Sequence, residues 1–119
     1  MMLQSRTYDR GMVVLVLFPN ADLRTAKTRP VVLIQATNLG TGLAQYVVAM
    51  ISSNMGRAGH PSRVSVVKAS PEGARAGLLT DSVVMTDNIA TVATSEITRH
   101  IGDMEMTAID TALRHTLGL

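Results

Sequence analysis

Residues 22–35 read DLRTAKTRPVVLIQ. A polar loop carrying Arg24, Lys27 and Arg29 runs directly into Pro30 and the apolar run from Val31 to Ile34. Proline at the first residue of a strand costs no ladder hydrogen bond, because its missing N–H lies outside the pairing. Four branched apolar residues in succession suit a strand buried on both faces. The pattern predicts a strand over 30–36, with Arg29 fixed at its mouth. A guanidinium held there is well placed to grip an anion.

Upstream, Gly11 opens an apolar run from Met12 to Phe18 that Pro19-Asn20 ends. Two short apolar runs joined by a polar loop of this length read as an antiparallel pair. Downstream, Asn38 to Gly42 is a turn cluster, and a third strand spans 45–51 and ends at Ser52-Ser53. Residues 54–62 (NMGRAGHPS) form a flexible, Gly-containing loop. Further short β segments are expected at 63–68, 82–86, 89–92 and 96–101, with a helical turn at 71–76 and a turn or bend at Asp87-Asn88. The last element differs. Asp103 can cap a helix over about 104–117, in which Met106, Ile109, Leu113 and Leu117 share one face. Short strands without crossover helices predict a mostly β fold: a small β-barrel carrying a C-terminal α-helix. Residues 1–10 read as a flexible polar lead and 11–119 as a single domain.

The bulk numbers agree with one domain and a real core: 119 residues, 46% hydrophobic and 17% charged. Aromatics are only 3%, so Val, Leu, Ile, Ala and Met must fill the interior. Cysteine is absent, which excludes a disulfide framework and a thiolate metal site and fits a reducing cytoplasm. Net charge is +2, but it is unevenly spread: residues 1–63 carry seven Lys/Arg against two acids, and residues 64–119 four against seven. A basic half points to a polyanion-facing surface, although chance placement of a few arginines gives the same count. The start, with Arg6, Arg10 and then MVVLVLF, superficially resembles a signal peptide. The run is short and β-branched, and Pro19 breaks it without a convincing cleavage site. No stretch approaches the ~20 apolar residues that span a bilayer, so no membrane partner is expected.

His60, His100 and His115 are scattered without metal-ligand spacing, so neither metal nor cofactor is expected. No Gly-rich phosphate loop and no nucleophile elbow is present. The residues left at strand ends are Arg29, Ser52, Ser53 and Asp87. Together they offer an anion clamp, hydroxyls and a carboxylate, a set suited to metal-free phosphoryl transfer. Each also fits a plainer role: an exposed salt bridge for Arg29, a satisfied turn for the serines, a turn pair for Asp87-Asn88.

The order of these segments resembles the MazF/PemK toxins. The Gly11-to-Pro19 strand followed by DLRTAKTRPVVLIQ, the strand YVVAMISS, the segment GLLTDSVVMTDNIATV and the tail IDTALRHTLGL are each similar to a family segment, over about residues 10–119. The resemblance implies an SH3-like barrel of the MazF/PemK/CcdB kind and a cytoplasmic type II toxin. It implies a metal-independent endoribonuclease cleaving single-stranded mRNA. The implied partners are RNA, a second copy of the chain, a cognate antitoxin, and operator DNA only through the antitoxin complex. On it, Arg29, Ser52 and Asp87 take the catalytic positions. Arg24, Lys27, Thr28, Ser53, Arg57 and Arg63 would make a basic groove for RNA. One departure is Met85, where many relatives carry Arg or Lys. It leaves an alternative: a non-catalytic module of the gyrase-poison kind, or a relative that has lost activity.

Overall fold

The computed structural model describes residues 7–19, 22 and 24–119. Among these residues six strands form one antiparallel sheet: β1 (Met12–Pro19), β2 (Ala26–Leu33), β3 (Gln45–Ser52), β4 (Arg63–Val66), β5 (Ser82–Ala93) and β6 (Ile97–Asp103). Helix α1 (Pro71–Ala76) precedes β5, and α2 (Thr107–Leu117) ends the chain. The sheet order is β4-β5-β3-β2-β1-β6.

That order forces curvature. β5 and β6 are joined by only the 3-10 turn Thr94–Glu96, yet β3, β2 and β1 lie between them in the sheet. A three-residue link spans that distance only if the sheet curls until its two sides approach. The result is barrel-like, with a sheet that stays open: no pairing joins β4 to β6 among the described residues. The expected mostly β fold with a C-terminal helix is the fold observed.

Curling gives the sheet two apolar faces. Alternation along each strand sends neighbouring residues to opposite sides. Val14, Val16, Val31, Leu33 and Val48 belong to one cluster, with Tyr8, Val92 and Ile97. Val13, Val32, Ala49 and Ile51 belong to the other, against Ile109 and Leu113 of α2. Of the run Val31 to Ile34, the first three residues are buried on alternate faces as expected, while Ile34 lies past the end of β2 and is half-buried. β-Branched side chains dominate because they pack well on a pleated surface.

Several boundaries moved for physical reasons. Pro30 is not the first residue of its strand: β2 begins at Ala26, and Pro19↔Ala26 through Val13↔Val32 form one ladder with β1. Proline is tolerated there because β2 pairs with β3 only from Val31 onward. On that side Pro30 and the residues before it form an edge, where no N–H is needed. The segments expected at 82–86 and 89–92 are one strand, β5. The register against β3 slips between Ala49↔Ile89 and Met50↔Met85, so the expected bend at Asp87-Asn88 is a bulge within β5. α2 starts at Thr107, with Met106 rather than Asp103 at its N-cap. Asp103 instead closes β6, opposite Met12.

Residues 7–10, expected within a polar lead, belong to the folded body. Tyr8 is buried and stacks edge-on against Tyr46, whose hydroxyl accepts its backbone N–H. Arg10 donates from Nε to the Ile34 carbonyl and pairs with Asp110 on α2. Gly11 suits the strand start because its φ is 95°. Its N–H binds the Leu33 carbonyl and its carbonyl accepts from Met104, tying β2 to the segment before α2. No helix among the described residues is long and apolar enough to cross a membrane.

Candidate functional site

The parting of β2 from β3 at Pro30 opens a groove. One bank is the free edge of β2, Lys27 to Pro30. The facing bank is the end of β3 with the turn beyond it: Met50 to Asn54 and Arg57, backed by Met85 and Asn88 of β5. Leu15, Gly77 to Thr80, Ser82 and residues 99–101 of β6 complete it, giving a volume of about 1010 Å³.

Among the described residues the groove holds four cations, Lys27, Arg29, Arg57 and Arg99, and no carboxylate lines it. Among the described residues none of these four is in an ion pair; the pairs are Arg10–Asp110, Arg63–Asp87 and His100–Asp103. Positive charge without local neutralisation is what an anionic ligand requires. The hydroxyls of Thr28, Ser52 and Ser53 stand in the same lining.

Ser52 ends β3 half-buried, and its position is locked from the loop side. Its Oγ accepts the Asn54 N–H at 3.1 Å, which leaves its own O–H available to donate. Asn54 then caps a 3-10 turn, Met55–Arg57: its Oδ1 accepts the Gly56 N–H, and its carbonyl accepts the Arg57 N–H. The first part of 54–62, expected as a flexible loop, is therefore a capped turn that fixes Arg57 five residues beyond Ser52. Arg57 Nη1 lies 3.6 Å from the sulfur of Met85, itself buried on β5.

Asp87 does not line the groove. Both its oxygens face Arg63, with Nη2 to Oδ2 at 2.8 Å and Nε to Oδ1 at 3.4 Å. The Arg63 hydrogen bond holds its carboxyl below the ordinary value, outweighing the opposing effect of burial. Arg63 Nη1 also donates to the Arg57 carbonyl at 3.1 Å. Asp87, Arg63 and Arg57 thus form a chain, in which only Arg57 reaches the groove lining. Arg24 is exposed outside that lining, its backbone N–H bound to Asp22 Oδ1.

Of the residues expected to act together, the structure brings together Arg29, Ser52, Ser53, Lys27, Thr28 and Arg57. It sets Asp87, Arg63 and Arg24 outside. It adds Arg99, which sequence reasoning missed. Arg99 lies in the acidic half of the chain, so the charge count pointed away from it. Its pairing partner is Leu15, which in turn pairs with Pro30, and all three line the groove. His60 and His115, scattered in sequence, stack with ring centroids 5.9 Å apart. Among the described residues no three His, Cys, Asp or Glu side chains are grouped to hold a metal ion.

A curled antiparallel sheet with a C-terminal helix and a basic, hydroxyl-bearing groove defines a small β-fold whose groove chemistry suits an anion. The chain belongs to the PemK-like, MazF-like toxins of type II toxin–antitoxin systems, whose family model matches residues 9–117. Comparison with curated proteins finds no match. Solved structures are similar over nearly the whole chain. An endoribonuclease from a mycobacterial species in complex with its cognate antitoxin has a TM-score of 0.70 at 23% identity, covering 94% of this chain and 96% of that one. An endoribonuclease from a mycobacterial species gives 0.71 at 22%, covering 98% and 97%. A MazE–MazF structure from Deinococcus radiodurans gives 0.70 at 15%, covering 96% and 98%. At these identities the likeness is one of fold.

Proposed function

We propose that the protein is a cytoplasmic toxin that cleaves single-stranded mRNA as a metal-independent endoribonuclease. The observation that carries this reading is the groove: among the described residues four cations outside any ion pair and five hydroxyl-bearing residues, Thr28, Ser52, Ser53, Thr80 and Ser82, line it, and no acid does. RNA would bind there chiefly through phosphate, with affinity falling as salt rises. Cleavage is an in-line attack of a ribose 2′-oxygen on the adjacent phosphorus. The 2′-O–P bond forms and the P–O5′ bond breaks, leaving a 2′,3′-cyclic phosphate and a 5′-hydroxyl. The 2′-hydroxyl proton passes to solvent and the 5′-oxygen takes one from solvent. Arg29 stabilises the charge of the phosphorane, and Ser52 positions the phosphate by donating its hydroxyl. Asp87, bound on both oxygens and weakened as a base, serves to orient Arg63 and its neighbours.

Family membership supports the same reading, as do the endoribonucleases among the structures of similar fold. The chain acts as an isologous dimer, and a cognate antitoxin with an acidic segment competes with RNA for the groove. The test is incubation of the purified protein with a long RNA in EDTA. Cleavage with cyclic-phosphate ends is expected. Intact RNA at high protein concentration would overturn the reading, and DNA damage with intact mRNA on expression in a bacterium would replace it with gyrase poisoning.

A further inference from the structure

Met85 lines the groove, and the guanidinium of Arg57 lies against it. Arg57 enters from the 3-10 turn after β3 and lays a guanidinium nitrogen on the sulfur at 3.6 Å. A thioether is a weak acceptor, so this contact orients the guanidinium without neutralising it. The backbone that carries the guanidinium is held from three more directions. The turn is capped by Asn54, the Arg57 N–H is held by the Asn54 carbonyl, and the Arg57 carbonyl is held by Arg63. Arg63 is in turn clamped by Asp87.

We infer that Arg57 is a second catalytic guanidinium, which donates a hydrogen bond to the departing 5′-oxygen while Arg29 stabilises the phosphorane from the opposite bank, the 5′-oxygen's proton still coming from solvent. The inference rests on the proposed RNA cleavage and assigns a residue to it. Charge develops on the 5′-oxygen only as the P–O5′ bond breaks. A donor fixed in advance therefore contributes most there, because it costs no reorganisation when the charge appears. Arg57, exposed as it is, has its backbone held at both N–H and carbonyl and its guanidinium resting on the Met85 sulfur. Arg29 is held through its backbone in the β1–β2 ladder, its side chain makes no hydrogen bond among the described residues, and it suits the phosphate oxygens. Asp87 and Arg63 are positioning residues for Arg57, which accounts for a conspicuous acid and base pair outside the groove lining.

The experiment compares single-turnover cleavage by wild type, Arg57→Ala and Arg57→Ala/Met85→Arg on an RNA containing a site mapped with the wild type. Affinity is measured separately on the 2′-O-methyl form of the same RNA. Arg57→Ala should cleave roughly 100-fold more slowly, with affinity reduced only a few-fold, about what one phosphate contact supplies. Met85→Arg brings a guanidinium to the same place from the other side of the contact and should recover at least about tenfold of the loss. A substrate with sulfur in place of the 5′-bridging oxygen leaves readily without a donor. On it the Arg57→Ala defect should shrink by about tenfold or more, while an Arg29→Ala defect persists. Cleavage by Arg57→Ala within about threefold of wild type, or a defect undiminished on the sulfur substrate, would overturn the assignment and leave the nuclease reading standing. No cleavage by the wild type would overturn both.

Discussion

Arg63 grips both carboxylate oxygens of Asp87 and, with its remaining nitrogen, the carbonyl of Arg57. The pair is about a quarter to a third exposed, so its Coulomb attraction is partly screened by water. Its consequence is geometric, because it fixes the loop that carries a groove residue.

That geometry predicts a defect in Asp87→Asn that is catalytic more than electrostatic. The substitution frees Arg63 and releases the Arg57 carbonyl, while the charge lining the groove stays the same. Cleavage should slow by roughly tenfold with RNA affinity nearly unchanged. Single-turnover rates beside 2′-O-methyl RNA binding would show the split; equal losses in both would contradict it.

The same pair sets an acid limit. The Asp87 carboxyl titrates below its ordinary 3.8 because Arg63 binds its charged form. A carboxyl depressed in the folded state stabilises the fold above its unfolded value, and that contribution disappears as pH falls through the folded value. Between about pH 5 and about pH 2, wild type should therefore lose more stability than Asp87→Asn, with urea midpoints as the measure. Parallel acid profiles would show that the pair contributes nothing to folding.

Thr86 predicts a stability effect next to the same loop. It is fully buried, and its hydroxyl donates to the Ser62 carbonyl at 2.6 Å and lies 2.8 Å from the Thr116 hydroxyl on α2. Thr86→Val keeps the shape and removes the bonds, leaving Thr116 without this partner. A loss of roughly 1–3 kcal/mol is expected in chemical denaturation.

Gly77 lines the groove with a φ of 70° at the end of α1, against the backbone of Ile101. A Cβ there would collide with the Ile101 carbonyl, which belongs to β6 and cannot swing aside. Gly77→Ala should therefore cost more than the ~1 kcal/mol of the left-handed conformation alone. Thermal melting would report it, and a near-wild-type melt would mean β6 can retreat.

Salt dependence tests the groove's charge inventory. On single-stranded RNA, each phosphate contact contributes about 0.7 to the slope of log affinity against log salt. Lys27→Ala/Arg99→Ala should lower that slope by up to about 1.4. Arg24→Ala, outside the groove lining, should leave it nearly unchanged. An equal effect from Arg24 would extend the RNA path along the loop before β2.

The sequence disclosed this fold where local pattern and tertiary role coincide. The run at 31–34 reads as doubly buried and is so through Leu33, and residues 71–76 carry their own Ser70 cap, Pro71 start and Gly77 stop. It was silent where partners decide. Nothing local says that β2 extends back to Ala26, because that extension exists only through β1. Nothing separates Asp87 as a groove carboxylate from Asp87 as the clamp on Arg63, since Arg63 lies 24 residues away. Arg29 and Ser52 were legible because Pro30 and the Ser52-Ser53 pair mark where strands part or end. Arg99 was not, because it depends on β6 returning to β1.

That return has a consequence for how the protein comes into being. Met12 pairs with Asp103 and Val16 with Ile97, so the first strand waits for the last before its outer edge is covered. Contacts of such sequence separation form late, after the entropy of closing a long loop has been met. On the ribosome, β1, β2 and β3 emerge well before the Arg99 wall of the groove exists. A growing or truncated chain therefore lacks the finished groove, and the surface appears only when synthesis is nearly done. On the proposed function, the RNA-binding surface is thereby incomplete through most of the protein's own translation.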